Sequence, residues 1–451
     1  MKRPLLILAL IPLVLWGIFA LPETLASSPA SMWDWRRPLI ILSGILALWW
    51  MSAGMVLAAR PGWLEKRLDG LDKLYRLHKY IGIGAGLLVF IHWMIEWLPK
   101  NLSKLGWIEG PARRRGPRGE PDMWIELAKD VGEWAGYILL ALVLVALIKR
   151  IPYRYFRWVH KAFGALFLAG AFHGLVLLPA SFWQQRLGWL TAALAAAGFI
   201  PALLSLTNRI GRRRQYMAEI LSVHQHTGQV LEIVCRPQRP WPGHVAGQFL
   251  FADFGLRGEG AHPFTIASDW QPDDCRLSLA IKALGDFTAK LPALVRAGQH
   301  ITLEGPYGKF DFSPTDQAKV SSAVGETESD HQVWIAGGIG ITPFLARLGE
   351  LSKAGNRIPA NADLFYCTPD AKAGDFPSQL EELCHATGVR LHRRLTQRDG
   401  PLKAQEIASL LRAKSTVWFC GPSRWGTSLG KTLIENGLPV SAFHQEAFEF
   451  R

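Results

Sequence analysis

The sequence reads YRLHKYIGIGAGLLVFIHWMIEWL at residues 75–98 and YFRWVHKAFGALFLAGAFHGLVLL at residues 155–178. Each stretch is long enough for a helix that crosses about 30 Å of hydrocarbon, and each contains two histidines. An imidazole inside a membrane is costly unless it is paired or ligated. Four histidines on only two such helices therefore indicate a functional site within the membrane.

The spacing of these histidines places them at two depths. His78 and His92 are 14 residues apart, so their rings leave one helix face about 21 Å apart along the axis. His160 and His173 are 13 residues apart, a rise of about 20 Å, although a straight helix would turn their rings about 140° from each other. A bend, or sites approached from different sides of the helix, would reconcile the two helices.

Two histidines from facing helices are the ligand set of a low-spin haem, so the sequence predicts two haem sites with the ligands His78, His92, His160 and His173. The chain has no CxxCH motif, which predicts haem that is not covalently attached. The alternative interpretation is a haem-free transporter, in which the histidines hydrogen-bond between helices or relay protons.

The composition indicates a long apolar half. Of the 451 residues 49% are hydrophobic and 19% charged, and the mean hydropathy is +0.12, which excludes a disordered or fibrous chain. The apolar runs of spanning length begin near Leu5, Pro38, Tyr75, Val131, Tyr155 and Leu187. The first run has features of a cleaved signal peptide, but it exceeds the usual apolar core of one, and we expect it to be retained as a span.

The net charge of +13 belongs to the ends of these runs, and this pattern favours membrane flanks over a nucleic-acid interface. Basic residues in short loops predict that one side is cytoplasmic and holds both termini; these loops are residues 2–3, 60–76, 149–157 and 209–214. Arg36, Arg37 and the segment 99–130 break the rule on the other side. Five cysteines without a CxxC pair exclude a disulfide scaffold, a zinc ribbon and a cysteine-held iron–sulfur cluster, and predict a reducing compartment for the second half.

The second half changes to short alternating runs after about Gln215, which predicts an antiparallel β-barrel. From Gln332 apolar strands alternate with helical segments, which predicts a doubly wound α/β domain. The predicted fold is thus an α-helical membrane bundle at residues 1–210, a flavin-type barrel at 215–312 and a nucleotide-binding α/β domain at 331–451, with a polar loop at 313–330.

Three short motifs of the barrel, in this order, suggest a flavin site. Each alone is equally compatible with a plain turn, but together they offer a polar residue for a pyrophosphate, a Thr hydroxyl near a ring and exposed amides at Gly-rich turns. The candidate residues are His262, Pro263, Phe264, Thr265, Lys282, Gly285, Thr288, Gly305, Tyr307 and Gly308.

A glycine-rich turn between a strand and a helix predicts a dinucleotide site, since bare amides at a helix N-terminus suit a pyrophosphate. Its residues are Gly337, Gly338, Gly340, Thr342 as N-cap and Pro343 as first helical residue. A tight turn without a ligand is the alternative. Cys420, Gly421 and Pro422 end another strand at the same sheet edge, and Cys420 alone is equally compatible with a structural thiol.

With these motifs the chain resembles the ferric reductase and NADPH oxidase superfamily, and most closely its compact bacterial members. The resemblance covers nearly the whole chain and implies a six-helix haem domain fused to a ferredoxin-NADP reductase type module. It implies that His78 and His160 hold an inner haem and that His92 and His173 hold an outer one. It also implies that His262 and Thr265 contact FAD.

The resemblance further implies that the glycines from Gly337 hold the nicotinamide dinucleotide phosphates and that Cys420 lies near the nicotinamide. An aromatic residue near the C-terminus would stack on the isoalloxazine, Phe448 in preference to Phe450. His262 stands where many such reductases have Arg, as in the oxidase branch. No Ser-Arg pair marks a 2′-phosphate site, so NADPH and NADH remain open, with Arg393, Arg394 and Arg398 as candidates. No EF-hand loop is present, and we expect no calcium gating.

We therefore expect an oxidoreductase of the bacterial inner membrane, with its reductase module in the cytoplasm. Electrons from NAD(P)H would pass through FAD and two b-type haems to ferric iron, a ferric chelate or dioxygen, the last giving superoxide. The expected partners are the lipid bilayer, NAD(P)H and a small acceptor, with no nucleic acid and no obligate protein partner. A reductase of quinone or of a periplasmic protein is the nearer alternative. The transporter is the alternative from another class.

Overall fold

The computed structural model divides into two compact units, one of Met1–Leu68 and Lys73–Gly211 and one of Asp69–Asp72 and Arg212–Arg451. The structure describes residues 2–26, 31–68, 70–111, 122–148, 153–238, 241–256, 258–312, 331–353, 361–371, 376–412 and 414–446. Several predicted features lie outside these ranges, namely the loop 313–330, the arginines Arg113, Arg114, Arg115 and Arg118, and the aromatic residues Phe448 and Phe450.

The first unit is helical in its described residues. Its helices are α1 (Lys2–Phe19), α2 (Leu21–Ala26), α3 (Met32–Ala58), α4 (Gly62–Arg67), α5 (Leu71–Lys104), α6 (Met123–Leu147), α7 (Tyr153–Val176), α8 (Ala180–Trp183) and α9 (Arg186–Leu206). Six segments of the described chain are long and apolar enough to cross a membrane, namely Pro4–Ala26, Met32–Ala58, Leu71–Lys104, Met123–Leu147, Tyr155–Val176 and Arg186–Leu206. The predicted multi-pass membrane protein with six spans is confirmed.

Local caps explain where two of these helices begin. The Asp34 carboxylate accepts from the Ser31 amide at 3.0 Å at the start of α3, and Asp122 accepts from the Trp124 amide at 2.8 Å at the start of α6. Both capped starts lie before the apolar runs that begin near Pro38 and Val131. α3 and α6 are therefore longer than the spans predicted from the sequence.

The helices of this unit do not pack equally. α6 lies along α7, and α3 lies along α9 and also meets α7, whereas α5 approaches its neighbours at few points. Buried side chains fill the tight part, among them Leu48, Phe167 and Ala202. The space beside α5 is where the histidine rings lie.

The second unit starts with an antiparallel sheet. Its strands are β1 (Gln215–His226), β2 (Val230–Pro237), β3 (Phe249–Asp253), β4 (His262–Thr265), β5 (Leu277–Lys282) and β6 (His300–Tyr307), in the order β4-β3-β6-β1-β2-β5. A bridge between Ile266 and Leu279 joins the β4 and β5 edges, so the sheet closes as the predicted barrel. Alternate residues such as Ile233, Leu250 and Leu303 fill its core. α10 (Asp286–Leu294) adds Phe287 and Leu291 to that core.

The rest of the unit is the predicted doubly wound α/β domain. Its parallel strands are β7 (Gln332–Gly337), β8 (Ala362–Thr368), β9 (Arg390–Leu395), β10 (Thr416–Cys420) and β11 (Phe443–Glu446), in the order β11-β10-β7-β8-β9. The helices are α11 (Thr342–Lys353), α12 (Leu380–Thr387), α13 (Thr396–Asp399), α14 (Ala404–Ala408) and α15 (Ser423–Glu435). Apolar clusters cover both faces, which is why the central strands read as continuous hydrophobic runs.

Two phenylalanines join the barrel to the α/β domain. Phe310 and Phe312 follow β6, yet their rings lie 5.1 Å from Trp418 and 5.8 Å from Phe344. Residues of both domains therefore share one core, and the barrel and the α/β domain belong to a single compact unit.

Candidate functional site

The four membrane histidines form two pairs, each with one ring from α5 and one from α7. The ring centroids of His78 and His160 are 5.9 Å apart with planes at 74°, and those of His92 and His173 are 6.2 Å apart with planes at 87°. All four side chains are half-buried. The matching rises predicted two levels and the family resemblance implied these pairings, and the structure brings the same residues together.

The separation within each pair fits two ligands of one metal. A metal–nitrogen bond is about 2 Å and the nitrogen lies about 1 Å from its ring centroid, so opposed imidazoles on one iron stand roughly 6 Å apart. In the described chain no hydrogen bond joins the rings of either pair, as a direct proton relay would require. The described residues also contain no cluster of three or more His, Cys, Asp or Glu with metal-binding geometry. Each imidazole pair could therefore supply two nitrogen ligands to a haem iron.

Hydrogen bonds fix the tautomer of three of the imidazoles. The Nδ1–H groups of His78, His92 and His173 donate to the carbonyls of Gly54, Ile40 and Ala128 at 3.0, 3.1 and 2.8 Å. These bonds leave Nε2 unprotonated, the form that binds a metal. Ser43 Oγ also lies 3.0 Å from His92 Nδ1.

His160 is held differently. Its Nδ1 is buried without a hydrogen-bond partner among the described residues, and its ring lies between Phe156 and Phe163, at 5.0 and 5.2 Å between centroids. His173 instead reaches Ala128 of α6. The two rings of α7 thus have different neighbours, with phenylalanines of α7 itself beside His160 and the α6 backbone beside His173.

Glycines beside the histidines have two roles. A Cβ on Gly132 of α6 would lie 1.9 Å from His173 Nδ1, so only glycine lets that ring sit there. Gly82 of α5 faces open space, with nothing within 4 Å of a Cβ. Gly84 and Gly86 meet Trp50 and Val143 of neighbouring helices. Of the three α5 glycines, only Gly82 borders free space.

In the barrel, the predicted flavin residues surround the end of β4. Thr265 is buried at the last position of β4, opposite Phe249 of β3. His262, the first residue of β4, stacks on Phe287 with 3.8 Å between centroids and 10° between planes. Pro263 and Phe264, between them, are half-buried.

Thr288 and Gly285 shape the turn before α10. Thr288 Oγ1 accepts from the amides of Leu284 and Gly285 at 2.9 and 3.2 Å, and Gly285 is the N-cap of α10. The Thr288 hydroxyl is therefore engaged in the cap, and the first-turn amides of α10 are the groups left for a ligand.

The turn formed by residues 305–308, called the GPYG turn, lies against the end of β11. Tyr307 is buried, donates its hydroxyl to Glu304 at 2.8 Å, and packs its ring near Phe249. Gly305 and Gly308 both have positive φ, and a Cβ on Gly308 would lie 3.4 Å from Glu446 Oε1. A larger residue at position 308 would crowd the space between this turn and the Glu446 carboxyl.

Glu446 was not predicted from the sequence as a site residue. Its side chain is buried, and its Oε2 has no hydrogen-bond partner among the described residues. Burial raises the pKa of this carboxyl well above its usual value. An orphaned buried oxygen beside the Gly308 turn fits a site that a polar ligand completes.

The dinucleotide turn follows β7 as predicted. Gly337 faces Pro422 and Trp425, and a Cβ on Gly340 would meet the Cys420 carbonyl oxygen at 2.2 Å, so both glycines allow the strand ends to touch. Gly338 has φ +55°, and the Lys282 ammonium lies 3.9 Å from where its Cβ would be. Lys282 therefore lies over the predicted phosphate turn.

The predicted N-cap was wrong. A 3₁₀ turn, Gly338–Ile341, precedes α11, so Thr342 is already helical and its hydroxyl donates to the Ile339 carbonyl at 3.2 Å. Thr342 and Pro343 are both buried. The amides of the turn itself, rather than the Thr342 cap, form the amino end that faces the site.

Cys420, Gly421 and Pro422 lie at the carboxyl edge of the same sheet. Cys420 is 1% exposed, and burial raises the pKa of its thiol well above its usual value, with Glu446 as a smaller cause. It is therefore a neutral thiol beside the Gly337 turn rather than a thiolate nucleophile.

The three arginines considered for a 2′-phosphate already have carboxylate partners. Arg393 pairs with Glu381 at 3.1 Å, and Arg398 pairs with Asp399 at 2.7 Å. Arg394 pairs with Glu406 and also donates to two backbone carbonyls. Arg394 thus holds the turn around α13.

Comparison with known proteins finds family matches for part of the membrane unit and for the barrel. Residues 43–171 match the family described as "Ferric reductase like transmembrane component", and residues 215–311 match "FAD-binding domain". Similar proteins include respiratory burst oxidase homolog protein B of Solanum tuberosum, 24% identical over 329 residues, and ferric reduction oxidase 8, mitochondrial, of Arabidopsis thaliana, 25% identical over 240 residues.

These alignments are partial. They cover 63% and 51% of this chain, and 37% and 29% of the two relatives, so the chain spans well under half the length of either one. Among solved structures, the flavohem-like FAD/NAD binding domain of nitric oxide dioxygenase from Vibrio cholerae O1 biovar El Tor aligns with a TM-score of 0.43 and 17% identity, over 51% of this chain and 97% of that one.

Proposed function

We propose that this chain, a ferric reductase like transmembrane domain followed by an FAD-binding domain, is an oxidoreductase that moves electrons from NAD(P)H through FAD and two b-type haems across a membrane. One observation carries the proposal above all others. Two imidazole pairs span the space between α5 and α7 at 5.9 and 6.2 Å, at two levels about 20 Å apart. The acceptor is ferric iron, a ferric chelate or dioxygen on the outer side.

The residues of the membrane unit fit two haems. Each pair would supply two axial nitrogens, with His78 and His160 for one haem and His92 and His173 for the other. The carbonyls of Gly54, Ile40 and Ala128 hold three of the rings in the tautomer that presents Nε2. Open space at Gly82 is in keeping with a flat macrocycle beside α5.

The soluble unit would bind the two nucleotides. When bound, FAD takes a hydride and releases electrons one at a time, and haem iron carries single electrons. Residues 262–265, the GPYG turn and the amino end of α10 would hold FAD, with His262 and the amino end of α10 at its pyrophosphate. The Gly337 turn and Lys282 would hold the pyrophosphate of NAD(P)H, with Cys420 closing the floor of the site. Phe448 would cover the flavin ring.

Charge supports a direction for the transfer. Basic residues concentrate in segments 2–3, 60–76, 149–157 and 209–214, the last directly before the reductase module, and such segments stay in the cytoplasm. We place the reductase module, residues 215–312 and 331–451, in the cytoplasm of a bacterium, with residues 1–210 in its inner membrane. The His92 and His173 pair then lies toward the outer side.

Inverted membrane vesicles test the proposal. Added NAD(P)H should reduce an acceptor trapped in the lumen, and His173→Ala should abolish this reduction because one axial ligand is lost. A soluble dye that takes electrons from the flavin should still oxidise NAD(P)H in the same vesicles, which controls for folding. Wild-type reduction of the trapped acceptor by His173→Ala vesicles would refute the proposed path.

The same vesicles separate the alternatives. A transporter would show no NAD(P)H oxidation and no reducible Soret band. A quinone reductase would lose activity when the membrane is depleted of quinone, whereas a ferric or dioxygen reductase would not.

A further inference from the structure

We infer that Phe287 is a positioning residue for FAD. Its ring fixes the plane of the His262 imidazole, so that the edge of the imidazole faces the flavin pyrophosphate. The inference rests on the proposed function, which assigns His262 to that pyrophosphate. No motif in the sequence singled out Phe287.

The stack between the two rings is close. Their centroids are 3.8 Å apart and their planes differ by 10°. In this geometry the phenyl ring covers one face of the imidazole and fixes its plane, so the nitrogen atoms at the edge are what a ligand meets. Glu259 Oε2 lies 3.8 Å from His262 Nε2 and limits rotation at that edge.

Phe287 is itself fixed by the barrel core. It is 9% exposed, and its ring lies 6.2 Å from Phe254, which is buried in the same cluster as Leu291. Phe287 is also the second residue of α10, whose first-turn amides face out of the helix. The stack therefore couples the orientation of His262 on β4 to the amino end of α10, the two elements assigned to the pyrophosphate.

A purely structural role for Phe287 makes a different prediction. If the ring only filled the core, its loss would destabilise the barrel whether or not His262 is present. If the ring positions His262, its loss should weaken FAD binding only while His262 is there. A double-mutant cycle separates the two roles.

The cycle uses Phe287→Leu, His262→Ala and their combination in the full-length protein, purified in detergent and stripped of flavin. Leu keeps an apolar side chain of similar size but has no flat face. Phe287→Trp restores a flat face. Ile233→Val is the core control, since it removes apolar volume from the same buried cluster on β2, a strand with no residue assigned to FAD. The FAD dissociation constant is measured by quenching of flavin fluorescence, and the melting temperature of each variant is recorded.

We expect Phe287→Leu to raise the FAD dissociation constant about threefold to tenfold, in line with an aromatic stacking pair. The same change should have no further effect in His262→Ala protein, and Phe287→Trp should bind FAD within about twofold of wild type. Ile233→Val should lower the melting temperature yet leave FAD affinity unchanged.

Additive effects of Phe287→Leu and His262→Ala would overturn the inference, as would an Ile233→Val variant that weakens FAD binding as much as Phe287→Leu. Wild-type protein that binds no FAD would overturn the proposed function and this inference with it. That outcome can be told apart from the others, because no variant would then bind FAD either.

Discussion

One glycine of α6 determines whether the His92–His173 pair can form. A Cβ at Gly132 would lie 1.9 Å from His173 Nδ1, whereas at Gly136, one turn further on, nothing lies within 4 Å of a Cβ. Both glycines are in α6, so substitutions at Gly132 and Gly136 make a matched comparison.

We expect Gly132→Ala to turn the His173 ring away and to lower the haem content from about two to about one per chain. Gly136→Ala should keep both haems. Neither change should weaken the helix, since Ala favours it over Gly by about 1 kcal/mol. Pyridine haemochrome analysis measures the outcome, and equal haem content in the two variants would contradict the placement of His173.

Residue types and spacing were enough to find the four membrane histidines, the HPFT motif at residues 262–265, the GPYG turn and the glycine-rich turn that begins at Gly337. They were not enough to find Gly132, Glu446 or Phe287. Each of these acts through a contact with an element distant in the chain, Gly132 with α7 and Glu446 with the Gly308 turn. Such contacts depend on packing between elements, for which a single sequence carries no direct signal.

At the scale of elements, a buried carboxylate joins the amino ends of the strands in the α/β domain. Asp363 of β8 is 2% exposed and accepts from His331 at 2.8 Å, from His392 at 2.8 Å and from Arg390 at 2.6 and 2.8 Å. His331 in turn hydrogen-bonds Ser415, just before β10. Burial opposes ionisation, but these hydrogen bonds outweigh it and hold the pKa of Asp363 well below its usual value.

The sign of the pH dependence follows from that lowered pKa. Ionised Asp363 stabilises the fold at any pH above the ordinary aspartate value near 4, and the stabilisation is lost as the pH falls through the lower folded value. We expect Asp363→Asn to lower the melting temperature clearly at pH 7 and the difference from wild type to shrink below about pH 4. Thermal scans from pH 3 to 8 measure it.

Asp274→Asn is the control, because Asp274 forms an exposed pair with Arg276. It should change the melting temperature little at any pH, as exposed pairs contribute about 0–1 kcal/mol. A constant difference between Asp363→Asn and wild type across the whole range would show that the charge of Asp363 is not what stabilises the sheet.

The types of secondary structure were predictable. Long apolar runs indicate membrane-spanning helices, and alternating apolar and polar residues indicate strands. Their ends were less so. α3 and α6 begin at the capping residues Ser31 and Asp122, before their apolar runs. The start of α11 was missed because a 3₁₀ turn carries the chain into the helix ahead of Thr342. Cap geometry depends on hydrogen bonds that composition does not reveal.

At the scale of the whole molecule, the order of membrane helices, barrel and α/β domain was evident from the sequence. The boundary at residue 312 is less sharp than it looked, since Phe310 and Phe312 lie in the core of the α/β domain. The barrel and the α/β domain should therefore unfold together. The membrane unit supplies the two imidazole pairs, and the whole account depends on what those pairs hold.

The haem content of the purified chain tests that claim most directly. Pyridine haemochrome analysis of full-length protein that retains its FAD should give close to two b-type haems per chain. Replacing His160 or His173 by Ala should each lower the value to about one, because each removes a ligand of a different pair. A value near zero in flavin-containing wild-type protein, or the same two haems in both variants, would contradict the proposed electron path.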